Sequence, residues 1–208
     1  MSKVLLINGS PHEHGCTATA IAELVGTLEK NGIETETLWL GKKPVADCIA
    51  CGHCFEAGKC VFDDAVNEIA ARMDEFDGIV VGSPVYYSGP NARLTAFLDR
   101  LFFSVPGEKL AGKLGAAIVS CRRGGSTASF ERLNQYFLMT NMIVVGSQYW
   151  NQIHGSSAQE ARQDAEGLQT MRTLGQNMAW LLKAIECGDK HGVARPVYED
   201  HVFTNFIR

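Results

Sequence analysis

No stretch of this 208-residue chain carries the about 18 consecutive apolar residues that a membrane-spanning helix needs. No excess of positive charge is present either. Nineteen Lys and Arg stand against 23 Asp and Glu, a formal net charge of −4. Phosphate neutralisation therefore does not drive this chain onto nucleic acid. Proline is scarce, at six residues, and the glycines are spread without a Pro/Gly/Ser-rich linker. There is no internal repeat and no low-complexity tract. The opening run Val4-Leu5-Leu6-Ile7 turns into Asn8-Gly9-Ser10-Pro11 too soon for a signal peptide. A cytoplasmic protein is the expectation, with its seven cysteines read as thiols or metal ligands rather than as a disulfide framework. A chain of this length buries enough surface to fold without such staples.

What is present is an alternation of short apolar runs with longer helical patterns. Val4 to Ile7 is too short for a helix and apolar on both faces, as a strand buried in a parallel sheet reads. Ile33 to Leu40, Gly78 to Gly82, Leu114 to Ser120 and Met142 to Ser147 read as four further strands. Helices are expected over Thr17 to Lys30, from an Asp63 or Asp64 cap to about Glu75, over Pro90 to Phe103, and over Ser126 to Thr140. A last long helix is expected from a Ser156 or Ser157 cap to Gly188. Five strands separated by helices imply an α/β fold, a parallel sheet with helices on both faces. One domain over residues 1–190 is expected, with a Cys-rich insertion at 41–62 and a tail at 191–208 that could reach another subunit.

Three loops at the carboxyl ends of these strands carry chemistry. After the first strand come Gly9, Ser10, Pro11, His12, then Gly15, Cys16 and Thr17 before a helix. A phosphate can sit at such a helix start, held by free N–H groups, the helix dipole and the hydroxyls of Ser10 and Thr17. The alternative is an ordinary turn with Thr17 as N-cap. The dinucleotide fingerprint G-x-G-x-x-G is missing, and no Lys follows Gly15 as a Walker loop requires. Gly107 to Lys113 imitates that loop, but Leu114 replaces its Ser or Thr and a strand follows. Cys16 lacks the following Arg of a phosphatase loop.

After the third strand come Pro84, Val85, Tyr86 and Tyr87. Ligands of open parallel sheets bind at this edge, beside the switch point in strand order. A Tyr pair with free amides suits a flat heteroaromatic ring, or else simply covers the sheet end. The fourth-strand loop adds Ser120, Cys121, Arg122, Arg123, Gly124 and Gly125, which alternatively form a solvated basic turn.

Together these loops resemble the flavodoxin-like NAD(P)H-dependent FMN reductase family. Gly9-Ser10-Pro11 with Gly15-Cys16-Thr17 is similar to its phosphate loop. Ser83-Pro84-Val85-Tyr86 with Phe97-Leu98-Asp99-Arg100 is similar to its flavin-ring loop and following helix. Tyr149-Trp150-Asn151 and His154-Gly155 recur in relatives. The resemblance implies a flavodoxin-like three-layer sandwich with strand order 2-1-3-4-5. It also implies FMN as cofactor, held by Ser10, His12, Gly15, Cys16, Thr17, the residues Pro84 to Tyr87 and the residues Ser120 to Gly125. NAD(P)H is implied as co-substrate, a flavin, quinone or redox protein as electron acceptor, and a homodimer or homotetramer as assembly. His12 stands where the family often has Arg and Cys16 where it often has Asn, which leaves backbone donors more of the phosphate. The flavin carries the hard chemistry, so no side chain is assigned as catalytic.

Cys48, Cys51, Cys54 and Cys60 follow a C-x2-C-x2-C-x5-C spacing inside the insertion. Four thiolates in thirteen residues can wrap a 4Fe-4S cluster. A tetrahedral zinc and a loop of unliganded thiols are the alternatives. The spacing resembles the iron-sulfur flavoproteins, relatives of the FMN reductases. That resemblance keeps open an FMN/4Fe-4S electron-transfer protein without nicotinamide turnover, and a non-enzymatic FMN-binding module. Cys187 has no comparable partner. Trp150 and His154 line a pocket or pack at a contact, His53 stands inside the cysteine loop, and Asp99 and Arg100 are expected to end their helix and pair locally.

Overall fold

The computed structural model describes residues 1–207. Strand β1 (Lys3–Asn8) runs at the centre, and every residue after Lys3 is buried. It pairs in parallel with β2 (Glu34–Trp39) on one side and β3 (Gly78–Tyr86) on the other. Beyond β3 lie β5 (Leu114–Cys121) and the short β6 (Ile143–Val144), so the path is β2-β1-β3-β5-β6. This is the expected order, with β5 and β6 as the fourth and fifth strands. A two-residue strand, β4 (Gly89–Pro90), folds back antiparallel on the end of β3.

Helices cover both faces because the central strands β1, β3 and β5 are apolar on both. Val4 and Leu6 of β1 face α1 (Cys16–Lys30) and the 26-residue α7 (Ala165–Lys190), in a layer with Leu24, Leu28, Leu174 and Met178. Leu5 and Ile7 face the opposite layer, built on Ile69, Leu94, Phe97, Leu98 and Phe137. Those residues belong to α3 (Ala65–Ala71), α4 (Ala92–Ser104) and α5 (Ser126–Met139). The period-two alternation of side chains along a strand divides one continuous apolar run between two cores. No helix among the described residues is long and apolar enough to cross a membrane.

Several boundaries differ from the sequence expectation. The fifth strand is split. Its first part holds the start of β5, the chain leaves the sheet, and β7 (Gln152–His154) returns to pair with the end of β5. The third strand does not stop at Gly82 but continues through Pro84, which pairs in register with Ser120. The last helix is two helices. Ser157 caps only α6 (Ala158–Ala161), and Asp164 caps α7 by accepting from the Gly167 N–H at 2.9 Å. Helix α3 ends at Ala71 and gives way to a 3-10 turn at Met73–Glu75. The insertion at 41–62 has one short helix, α2 (His53–Ala57), and residues 193–207 are exposed without helix or strand.

The outer strand β2 is tied down by charge. Arg72 grips Glu36 with two N–H bonds, at 2.9 and 2.7 Å, and Lys3 Nζ lies 2.7 Å from the same carboxylate. Arg72 and then Lys3 hold the Glu36 carboxyl down at about 2. Its folded value lies below the ordinary 4.5, so its stabilisation is complete above that pH and fades as pH falls towards about 2. Glu36→Gln is therefore expected to lower the urea midpoint at pH 7 and to match the wild type near pH 2. A difference that persists undiminished in acid contradicts this account.

Candidate functional site

Three chain segments meet at the carboxyl edge of the sheet and enclose a cleft of about 810 Å³. The first is the turn from β1 into α1. Buried Asn8 accepts the Ser10 N–H at 3.0 Å, the Ser10 hydroxyl accepts the His12 N–H at 3.1 Å, and Trp39 Nε1 donates to the Ser10 carbonyl at 2.8 Å. These bonds curl the loop so that Ser10, His12, Gly15, Cys16 and Thr17 line the cleft. Gly15 is the N-cap, in extended conformation and without a side-chain cap. The first-turn N–H groups of α1 therefore have neither an intrahelical partner nor a capping oxygen, and they carry the positive end of the helix dipole. Thr17 does not cap the helix. It lies in the first turn, buried, with Oγ1 at 2.8 Å from Ser120 Oγ. Helix and sheet approach closely here, since a Cβ on Gly82 would stand 2.8 Å from Thr17 Cγ2.

The second segment is a hairpin. Val85 pairs with Pro90 and Tyr86 with Gly89 across a two-residue turn of Tyr87 and Ser88, whose φ angles are +49° and +61°. Two left-handed residues are what a tight hairpin of this hand requires, and Asn-Gly usually fills them. Holding a tyrosine and a serine there costs on the order of 1–3 kcal/mol each, strain of the kind that gathers at ligand clamps. Pro84, Val85 and Tyr86 line the cleft, whereas Tyr87 stands fully exposed at the hairpin tip. The third segment ends β5, where Ser120, Cys121 and Arg122 line the cleft. Arg123, Gly124 and Gly125 lie outside the lining and carry the chain into α5. Gly125 is the left-handed N-cap at φ +86° and packs beneath the hairpin.

Burial raises the thiol pKa of both Cys16 and Cys121, so neither is an activated nucleophile. The Cys16 thiol donates instead to the Gly155 carbonyl at 3.3 Å. The cleft has further walls that sequence reasoning missed: Trp39 at the end of β2 and Lys42 after it, and the stretch Gly155 to Gln159 with Arg162 after β7. Their only prior signal was position at the same sheet edge. Trp150 lies outside that lining and packs edge-on against Tyr149 at 4.6 Å. His154 lies outside it too, 3.6 Å from Asp164.

The four cysteines of the insertion converge. Cys48, Cys51, Cys54 and Cys60 all line one pocket of about 150 Å³ between the loop and α4, and none forms a disulfide. Burial first, and then its neighbouring cysteines, raise the Cys54 thiol pKa. Among the described residues no group of three or more His, Cys, Asp or Glu is drawn close enough to grip a single metal ion. Four free thiols facing one small space fit a polynuclear cluster, whose ligands surround a core rather than touch one ion. His53 sits in α2 without lining this pocket. Ile49, Phe55, Val61 and Phe103 form its exposed apolar rim.

Arg100 corrects the expectation that it pairs locally at a helix end. It is buried, grips Asp64 through two N–H bonds at 2.7 and 2.9 Å, and donates Nε–H to Cys60 Sγ at 3.1 Å. Burial alone would lower its pKa, but Asp64 and Cys60 carry the balance upward, so the guanidinium is charged. Asp99 instead accepts from the Tyr136 hydroxyl, which burial and Asp99 together hold strongly protonated.

The family model for NADPH-dependent FMN reductases matches residues 2–156. The chain belongs to this family. Within it the chain lies close to the iron-sulfur flavoproteins. One from Methanocaldococcus jannaschii is 37% identical over 191 residues, covering 88% of this chain and 99% of the relative. Another from Methanosarcina thermophila is 30% identical over 187 residues, covering 88% and 97%. The solved flavodoxin, WrbA-like protein of Agrobacterium tumefaciens shares the fold at a TM-score of 0.60 and 16% identity, over 88% of this chain and 99% of that one. This member of the FMN reductase family is thus flavodoxin-like in architecture, with the cleft at the edge where FMN-binding folds of this order hold their ligand.

The hairpin can be tested without any ligand. A Cβ on Gly125 would lie 2.9 Å from Ser88 Cα and 2.9 Å from Val85 Cγ1, at a φ that disfavours any L side chain. Gly125→Ala is expected to cost about 1–3 kcal/mol of stability in chemical denaturation. Gly124, where a Cβ meets open space, should tolerate Ala within about 0.5 kcal/mol. Equal costs at the two positions contradict the packing described.

Proposed function

We propose that this chain is a flavoprotein oxidoreductase that holds FMN in the sheet-edge cleft and a 4Fe-4S cluster on Cys48, Cys51, Cys54 and Cys60. In this reading it carries electrons to a redox protein or a small acceptor. The observation that carries the proposal is the pairing, in one family member, of an uncapped helix start in a large cleft with four cysteines lining one pocket. The similarity to iron-sulfur flavoproteins along nearly the whole chain supports it.

The roles follow from the geometry. The first-turn N–H groups at Cys16 and Thr17 would take the phosphate, aided by the dipole of α1, while the Gly15 N–H donates to the His12 carbonyl at 3.2 Å and holds the loop closed. Ser10 and His12 shape that loop. Thr17 and Ser120 share one hydrogen bond between two hydroxyls, which leaves one O–H free to donate to a phosphate oxygen. Pro84, Val85 and Tyr86 would wall the ring on one side, with Ser120, Cys121 and Arg122 on the other. Gly125 holds the hairpin in place, while Tyr87, Arg123 and Gly124 stand at the rim, open to a second substrate. Bound FMN supplies both two-electron and one-electron chemistry. A bound 4Fe-4S cluster supplies one-electron chemistry.

A second reading is an NAD(P)H-dependent reductase that passes hydride equivalents to a flavin or quinone. The presence of Lys42, Arg122 and Arg162 around the cleft favours it, since these cations suit the phosphates of a nicotinamide nucleotide.

The two readings separate in one titration. The protein is purified without air and its flavin absorption followed as NADPH or NADH is added, then dithionite. The electron-transfer reading expects bleaching with dithionite only. The reductase reading expects bleaching with a nicotinamide and turnover with a quinone. No bound flavin, even after incubation with FMN, overturns both.

A further inference from the structure

Arg100 is the largest fully buried side chain among the described residues, at 1% exposure. A guanidinium leaves water only where its charge and its N–H groups are met. All three of its nitrogens are engaged. One terminal nitrogen bonds Asp64 at 2.7 Å and the Ala46 carbonyl at 3.4 Å. The other bonds Asp64 at 2.9 Å and the Phe62 carbonyl at 3.1 Å. The remaining donor, the single Nε–H, points at Cys60 Sγ at 3.1 Å. The Asp64 pair and the two carbonyls suffice to pin the insertion onto α4. They do not account for the bond to sulfur, because a thiol is a weak acceptor and a thiolate a strong one. Arg100 is also the one charged side chain other than the cysteines that lines their pocket.

We propose that Arg100 is a positioning residue for the cysteine-held cluster: it fixes Cys60 and sets a permanent positive charge against that sulfur, favouring retention of the cluster and raising its reduction potential. The proposal rests on the reading that the four cysteines hold a 4Fe-4S cluster. Four thiolates bring negative charge to the site, and reduction adds one more electron. A donor and a positive charge at one sulfur therefore favour the reduced state. Asp64 opposes this by offsetting part of the guanidinium charge from the far side.

That opposition gives the test its two directions. Full-length protein purified without air is titrated with dithionite and mediators, and the cluster signal is followed by electron paramagnetic resonance. Iron, sulfide and flavin contents are measured in parallel. Arg100→Gln is expected to move the potential down and to lose iron. Asp64→Asn, which keeps an N-cap for α3, is expected to move it up. Arg100→Lys, which keeps the charge, should fall between Arg100→Gln and the wild type. A role confined to holding the loop would not move the potential in opposite directions. Both Arg100→Gln and Asp64→Asn at the wild-type potential, with full iron, overturn the proposal. Should Arg100→Gln fail to fold, an unmoved potential in Asp64→Asn overturns it alone. A wild-type protein without iron and sulfide overturns the cluster reading itself and the proposal with it.

Discussion

A strand buried on both faces has only its ends to offer a ligand, and this constraint organises the molecule. Val4 to Ile7 divide their side chains between two helical layers, so neither face of the sheet is open. The large cleft therefore opens at the carboxyl edge, where β1, β3 and β5 end side by side and three turns converge. The close approach at Gly82 brings the start of α1 onto the sheet and so aims an uncapped helix terminus at the cleft. The strained Tyr87–Ser88 turn closes the same cleft from the side, braced from below by Gly125.

The cysteine pocket depends on a different contact, the buried ion pair of Arg100 with Asp64. An insertion with little regular structure would have no fixed relation to the core without such a tie. Arg100 bonds residues 46, 60, 62 and 64, and Asn67 bonds the backbone of Cys60 and Phe62. Arg93 holds the entry of the same insertion through the carbonyls of Lys42 and Lys43. Helix α4 thus serves two sites: its N-terminus follows the hairpin at the cleft, and its middle anchors the cysteine loop.

Much of this was legible from residue pattern. Continuous β-branched runs announced the buried strands, and the loops after them placed eleven of fifteen expected cofactor residues along the cleft. The spacing of four cysteines drew attention to one stretch of the insertion, and all four line one pocket. The rest had physical reasons to stay hidden. The apolar run Met142 to Ser147 continues past the point where the chain leaves the sheet, and the returning triplet Gln152–His154, with a single apolar residue, is too short to carry a strand signal. Pro84 reads as a strand end, yet β3 runs through it to the hairpin. Arg100 reads as a helix-end residue that pairs locally, because its partner Asp64 is 36 residues away and no local pattern links them. Trp39, Lys42 and Arg162 come from segments that only the folded sheet brings to the cleft.

The central claim is that one chain carries a flavin and an iron-sulfur cluster at two separate places, the cleft and the cysteine pocket. The most direct measurement is the cofactor content of protein purified without air. The account predicts about one FMN and about four iron with four sulfide per chain. It predicts that replacing Cys51 and Cys54 by Ser removes the iron and leaves the flavin in place. Flavin lost together with the iron, or iron that persists in that variant, would contradict it.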